Sequence, residues 1–554
     1  MVALQASFGV SLLDQLVNGL TVGMVYVLLA AGLSIIFGVM DVINFAHGEL
    51  LALGAYFGVA ITTAGIGNFW VALIVAPLAV AVLGGALERL TVRPLYGRDP
   101  LYHILLTFGL VLIFVDAIEL VWGTQPLGTI DVGVLSGTVS IFGFQKTLYS
   151  YFVIVAGSLI ALGAWLMLER TRFGLVVRAG SMDRDMVRHL GIDIDRYYTF
   201  VFAFGAFLAA VGGVILAGRQ SVGPGMGGSV IIPAFIVVVL GGLGSFRGAV
   251  AGGLLVGVVQ VLVQWQVPFL EGLVVFLLMI GVLLVRPQGL FGSPEWHDPG
   301  EGGELLTAAG SGILSGRQRR LIGVGVVALL LLAPLGIGVL YGAFYINSIL
   351  VEILIWALFA LSLDLVMGYT GLVSLGHVLF YGLGAYATVL FSLYLVPSIW
   401  LALLAGIVVA ALIAWVVGYL SIRVSGVYFS MITLAFAEVL LYAFVNVERL
   451  GGASGFVKPL PGAYGAEFGL AAFQFRGDLG YFYVILAFLA VVTLVAYLVK
   501  RSWIGLYFFS IREDEQAAES VGVPAFRYKM LGIMLSAFFT AWAGTFWSMY
   551  FTTI

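Results

Sequence analysis

Cysteine is absent from the 554 residues, so disulfides, thiolate metal sites and cysteine nucleophiles are excluded. Charge is scarce as well: 10% of residues are Asp, Glu, Lys or Arg, against about 25% in an ordinary soluble domain. So few charges cannot clothe a surface that faces water. Lys and Arg together number 25 against 28 Asp and Glu, so there is no basic arm and no nucleic-acid partner is expected. No His-Glu-x-x-His run, paired-carboxylate cleft or Gly-x-Ser-x-Gly pattern occurs, and no enzyme or metal site emerges. Met1–Val10 has no basic stretch and no small-residue cleavage site, so no removable signal peptide is expected. The run GGLGSFRGAVAGG (Gly241–Gly253) lacks the Lys-Ser/Thr ending of a phosphate loop and reads as close helix packing or a broken span.

What fills the chain instead is apolar: 62% of residues are hydrophobic, and the mean hydropathy is +1.13. Long unbroken apolar runs point to an all-α polytopic integral membrane protein, because barrel strands alternate. Runs of spanning length cover Leu12–Phe37, Phe45–Ala64, Asn68–Leu87, Leu101–Trp122, Leu148–Leu168, Tyr197–Ala217, Ile232–Gln264 (as two short pieces) and Val267–Leu284. They resume with Leu321–Leu340, Ile346–Met367, Leu375–Leu395, Trp400–Leu420, Val427–Asn446, Tyr481–Val499 and Tyr528–Phe551. Arg and Lys cluster at Arg89–Arg98, Arg170–Arg196, Arg286–Arg320, Arg423 and Lys500–Lys529. Placing those clusters in the cytosol gives a consistent topology with the N-terminus outside and Val447–Gly480 facing outward. Residues 287–320, rich in Gly, Pro and Ser, read as a cytosolic linker between a first unit, 1–286, and a second, 321–554.

The two units repeat each other. Gly38, His47, Gly54, Ala55 and Tyr56 recur at Gly368, His377, Gly384, Ala385 and Tyr386, a shift of 368 − 38 = 330. Gly174, Gly191, Arg196, Tyr197 and Gly213 recur at Gly505, Gly522, Arg527, Tyr528 and Gly544, a shift of 505 − 174 = 331. A fused pair of homologous helical units is expected. The second has no counterpart of 224–292, so it is either a short unit or one whose chain continues past Ile554.

Two constellations stand out. The first is the segment ERTRFGLVVRAGSMDRDMVRHLGIDIDRY with its partner KRSWIGLYFFSIREDEQAAESVGVPAFRY. Each carries an early Gly (Gly174, Gly505), a short helical piece and a Gly stop (Gly191, Gly522). Met186, Val187 and Leu190, like Ala517, Ala518 and Val521, fall at helical spacing on one face. Such a piece suits docking into a groove on a soluble partner, or else tidies a loop at the membrane surface. The second constellation interrupts apolar sequence with Asp41, Asn44, His47 and Glu49, and again with Ser374 and His377. Polar groups at membrane depth mark pathways, and interrupted helices at matching positions of two halves mark transport sites. The competing reading has His47 and His377 satisfied by backbone carbonyls and merely pinning the breaks. Asp116, Glu119, Glu352, Asp364 and Glu438 lie in or beside spans, as relays or as local caps.

The chain resembles the two permease subunits of the branched-chain amino-acid ABC transporter family, fused in one polypeptide. In the first unit the likeness rests on Asn18–Tyr56, Leu105–Leu110 and Leu240–Gly253. In the second it rests on Leu363–Tyr386, Ser425–Leu440 and Gly451–Gly455. The resemblance implies an importer in the bacterial inner membrane, with one substrate pathway shared by two permease units. It also implies two cytosolic ABC ATPase subunits that bind ATP and Mg, and a periplasmic solute-binding protein. Importer permeases carry an E-A-A-x-x-x-G coupling pattern. Gln516-Ala517-Ala518-Glu519-Ser520-Val521-Gly522 matches it apart from Gln for Glu, and Asp185-Met186-Val187-Arg188-His189-Leu190-Gly191 keeps the acid and the Gly without the alanines. Urea and short-amide importers share the same blocks. From another class, an ion-coupled secondary transporter using Glu49 and His47 as a relay remains an alternative, and a passive channel has little in its favour.

Overall fold

Lipid offers a backbone no water to bond with, so each apolar run folds as a helix that satisfies its own amides. The computed structural model describes residues 2–98, 100–141, 144–292, 318, 321, 325–334, 349–395, 399–456 and 477–551. Among these, twelve helices are long and apolar enough to cross a membrane. The chain resolves into two units, Met1–Glu295 and Trp296–Ile554.

The first unit runs α1 (Val2–Met40), α2 (His47–Thr63), α3 (Phe69–Leu87), α4 (Pro100–Trp122), α5 (Leu148–Arg170), α6 (Arg172–Met182), α7 (Arg184–His189), α8 (Ile194–Ala217), α9 (Met226–Gly241), α10 (Phe246–Gln266) and α11 (Glu271–Val285). Its hub is α8, whose buried Gly205, Ala209, Ala210 and Gly213 let α1, α2 and α3 close around it. The second unit runs α12 (Gly325–Pro334), α13 (Val351–Thr370), α14 (Val378–Tyr394), α15 (Ile399–Ser421), α16 (Gly426–Asn446), α17 (Gly477–Arg501), α18 (Trp503–Glu513), α19 (Glu515–Ser520) and α20 (Ala525–Tyr550). Here α20 takes the place of α8, with α13, α14 and α15 packed about it.

The repeat extends to single contacts. A Cβ on Gly213 would lie 2.0 Å from the Leu51 carbonyl oxygen, and one on Gly544 would lie 1.9 Å from that of Tyr381. Gly54 presses on Ala210, and Gly384 on Ala541, in the same way. With the two shifts, 51 + 330 = 381 and 210 + 331 = 541, so one helix crossing has been built twice.

Several spans differ from expectation. The runs Phe45–Ala64 and Leu375–Leu395 become the 17-residue helices α2 and α14, each behind a non-helical break. Ile232–Gln264 divides at residues 242–245 into a short α9 and a full-length α10. The loop after α4 holds a small antiparallel hairpin, β1 (Thr138–Ile141) with β2 (Phe144–Thr147). Lys146 ties it to α1 by reaching Asp14 Oδ1 at 2.9 Å and Asn18 Oδ1 at 2.8 Å. Of the expected linker, only 287–292 and 318 fall within the described residues, as do only 321 and 325–334 of the run Leu321–Leu340. The middle of the segment Val447–Gly480, residues 457–476, also lies outside them.

Candidate functional site

The break after α1 begins at Asp41, whose φ of +54° is left-handed. Asp tolerates that region better than most residues. Its counterpart, Gly371, has a φ of +73°, and 371 − 330 = 41. The chain then runs without helix until α2 and α14 start. A backbone so freed needs other partners, and the following helices provide them. The Thr107 hydroxyl on α4 lies 3.2 Å from the Ile43 carbonyl. In the second unit the Ser430 hydroxyl on α16 donates to the equivalent carbonyl, Val373, at 2.6 Å. Thr433 accepts from the Gly376 amide at 3.3 Å.

Asn44, His47 and Glu49 are all buried in the first unit. The His47 ring lies against Gly32, where a Cβ would come within 2.9 Å of Nε2. The Glu49 carboxylate lies over Gly227 in the first turn of α9, where a Cβ would stand 2.3 Å from Oε1. Only glycine leaves room for that acid. Among the described residues, both polar atoms of the Asn44 side chain and Glu49 Oε2 have no hydrogen-bond partner. Unpaired polar groups this deep are costly, and these leave a donor and two acceptors open to a ligand.

His377 is held differently. Its Nε2 lies 2.9 Å from Thr540 Oγ1 and 2.9 Å from Ser536 Oγ. Ser536 donates its own hydrogen to the Ser362 carbonyl, so its oxygen accepts from the ring and Nε2 carries the ring hydrogen. Two side-chain hydroxyls on α20 thus surround Nε2 of this histidine, where the competing reading had backbone carbonyls. The equivalent positions of the first unit, 536 − 331 = 205 and 540 − 331 = 209, are Gly205 and Ala209, which have no hydroxyl. Ser374 is half-buried and, with His377 and Ser421, lines a cavity of about 10 Å³, room for about one water. Replacing Thr540 by valine, which keeps the shape, is expected to cost about 1 kcal/mol. Thermal melting of the purified protein checks this; an unchanged melting temperature would mean that the second hydroxyl does not hold the ring.

The two segments expected to dock a partner form matched hairpins. Thr171 accepts from the Gly174 amide at 3.2 Å, and Ser502 accepts from that of Gly505 at 3.3 Å. Asp183 then caps α7 by accepting from the Met186 amide at 2.8 Å, and Asp514 caps α19 by accepting from that of Ala517 at 2.9 Å. Both helices stop at left-handed glycines, Gly191 (φ +82°) and Gly522 (φ +94°). The three apolar residues expected on one face are divided between two. Val187 and Ala518 point inward and are buried. Asp185, Met186, Leu190, Gln516, Ala517 and Val521 are exposed, Leu190 at 72% and Val521 at 80%.

The anchors of these helices have exchanged chemistry. Arg184 of α7 lies 2.7 Å from Asp195 Oδ1 and stacks over the Tyr96 and Tyr198 rings. Glu515 of α19 pairs instead with the buried Lys529. Since 515 − 331 = 184 and 529 − 331 = 198, an anion stands where the first unit has a cation, and a cation where it has a tyrosine.

The π-helical turn Glu88–Val92 at the end of α3 carries a network absent from the sequence reading. Buried Glu88 accepts from Arg93 at 3.1 and 2.9 Å, from Tyr96 at 2.9 Å and from Thr199 at 2.8 Å. Burial, reinforced by the Glu88 charge, pushes the Tyr96 hydroxyl well above its usual range, so it stays protonated. That hydroxyl also lies 3.1 Å from Met40 Sδ, at the end of α1. In the second unit Arg512 donates to the Gly368 carbonyl at 2.6 Å, near the end of α13. The hairpin thus meets the helix break directly in the second unit and through Tyr96 in the first, although the sequence shows them more than 120 residues apart.

A family model described as the branched-chain amino acid transport system permease component matches the chain twice, over residues 15–283 and 345–554. The chain belongs to this family. The high-affinity branched-chain amino acid transport system permease protein BraD of Pseudomonas aeruginosa is 35% identical over 296 residues, covering 51% of this chain and 96% of that relative. LivH of Escherichia coli K12, of the same description, is 32% identical over 302 residues with the same two coverages, 51% and 96%. LivM of that organism is 30% identical over 210 residues, which cover 35% of this chain and 49% of LivM. No solved structure matches the chain. Two matches in one multi-pass chain fit a fusion of two such permeases, and the relatives named here are transport components.

Proposed function

We propose that this chain supplies both membrane halves of an ABC importer for branched-chain or other small neutral amino acids. The observation that carries the reading is the docking hairpin beside a polar helix break, present once in each unit. Two ABC ATPase subunits, which bind ATP and Mg themselves, seat on Asp185–Gly191 and Gln516–Gly522. A periplasmic binding protein delivers the solute on the opposite side of the bacterial inner membrane. The hairpins and residues 287–320 lie in the cytosol, in keeping with the Arg clusters there. Asn44, His47 and Glu49, with Ser374 and His377, form part of the pathway wall. The unpaired Asn44 amide and Glu49 oxygen suit the charged ends of a zwitterion. ATP binding on the partners biases the permease between inward- and outward-facing states.

Reconstituted with both ATPase subunits and a leucine-loaded binding protein, the wild type is expected to accumulate leucine only when ATP is supplied. Gly522→Glu, or Ala517→Glu with Ala518→Glu, is expected to bring partner-stimulated ATP hydrolysis down to background. Hydrolysis unchanged by these substitutions would remove the docking assignment. Uptake driven by an ion gradient alone would replace the importer with the secondary-transporter reading. ATP-dependent uptake of urea or a short amide in place of leucine would keep the importer and change its cargo.

A further inference from the structure

The second unit's docking hairpin grips the end of the helix before the break directly, and the first unit's reaches that end through Tyr96. In the second unit the last four carbonyls of α13 have no partner within the helix. Arg512, two residues before the Asp514 cap of α19, donates to one of them, Gly368, at 2.6 Å. It also sets a cation at the negative end of the helix dipole. The fit is tight: a Cβ on Gly371 would stand 2.9 Å from Arg512 Cγ and 3.4 Å from its Cβ. Beyond Gly371 the break is held by Ser430 and Thr433, and His377 follows. The first unit has Ser181 at the equivalent position, 512 − 331 = 181, which is too short to reach. Its hairpin uses Arg184 stacked 4.7 Å from the centre of the Tyr96 ring, whose hydroxyl lies 3.1 Å from Met40 Sδ.

We infer that Arg512 is a positioning residue for transport, the side chain through which movement of the docking helix Glu515–Ser520 displaces the helix break at Gly371–Gly376. Arg184 on Tyr96 serves the first unit in the same way. The inference rests on the importer reading above and deepens it. Arg512 lies in the last turn of α18, which packs against α19 across the extended cap Asp514, so a tilt of the hairpin as one body carries Arg512 with it. The end of α13 then either follows or loses both its capped carbonyl and its packing against the arginine stem. An element with two such discrete arrangements is what coupling between sites requires.

The test uses the full chain with both ATPase subunits and the binding protein in proteoliposomes, measuring leucine uptake and ATP hydrolysis on the same sample. Arg512→Ala is expected to retain both ATPase subunits on purification and to keep the basal rate of hydrolysis. Its uptake per ATP should fall about tenfold, and Arg512→Lys should recover part of that ratio. Uptake and hydrolysis falling together at a constant ratio would show that Arg512 only caps a helix, and an unchanged ratio would also overturn the inference.

The absence of native cysteine allows a second measurement that does not depend on the alanine variant folding. The 3.4 Å Cβ separation lies close to that of a disulfide. Gly371→Cys with Arg512→Cys is therefore expected to be uncoupled when reduced and recoupled when oxidised. Oxidation that leaves the ratio low refutes the inference. Wild-type vesicles that show no ATP-dependent uptake refute the importer reading instead, so the two failures are distinguishable.

Discussion

Replacing Gly544 by alanine is expected to cost about 3 kcal/mol, at the upper end for an overpacked site. The added methyl would stand 1.9 Å from the Tyr381 carbonyl oxygen. That atom belongs to a helix backbone and has no rotamer to retreat into, so α14 and α20 must part along their crossing. Gly213→Ala in the first unit meets the Leu51 carbonyl at 2.0 Å and should cost a similar amount. Gly163→Ala, on α5, is the control, because nothing lies within 4 Å of its Cβ position. It should be neutral or stabilising, by up to about 1 kcal/mol. Thermal denaturation of the three purified variants decides the matter: if Gly544→Ala melts with the control, the crossing is looser than described.

Glu88→Leu should be comparably damaging. Removing one member of a buried ion pair costs about 3–5 kcal/mol, because the partner is left charged and unpaired. The Arg93 side chain keeps 27% of its exposure, and this solvent contact places the expected loss near the lower bound of about 3 kcal/mol. Tyr96 and Thr199 lose an acceptor in the same step. Glu88→Leu combined with Arg93→Met should recover most of the loss, because the pair is then replaced by apolar bulk. A double variant no more stable than the single one would mean that the acid serves Tyr96 and Thr199 more than Arg93.

Lipid makes much of this architecture readable. A span must be apolar and about 20 residues long, so the long helices announce themselves. The breaks were legible too, because Asn44, Glu49 and Ser374 interrupt apolar sequence and the shift of 330 superposes them. The partners were not. Ser536 and Thr540 lie about 160 residues from His377, on a helix whose own pattern gives no sign that it faces a ring. Glu88 stands beside Arg89 and Arg93 and reads as the edge of a charged cytosolic cluster, although it is fully buried. The inward turn of Val187 and Ala518 escaped for another reason. Helices of six residues complete fewer than two turns, so spacing alone cannot say which of three neighbouring apolar residues faces in. Arg512 was counted for its charge, and charge alone does not reveal that it caps α13.

The exchanged anchors make the two halves poor donors to each other. Grafting Arg184 with its hairpin into the second unit would set it beside Lys529, cation on cation. The reciprocal graft would lay the Glu515 carboxylate over the electron-rich faces of Tyr96 and Tyr198 and beside Asp195. Each hairpin is thus matched to its own half, and exchanging the two is expected to unseat both.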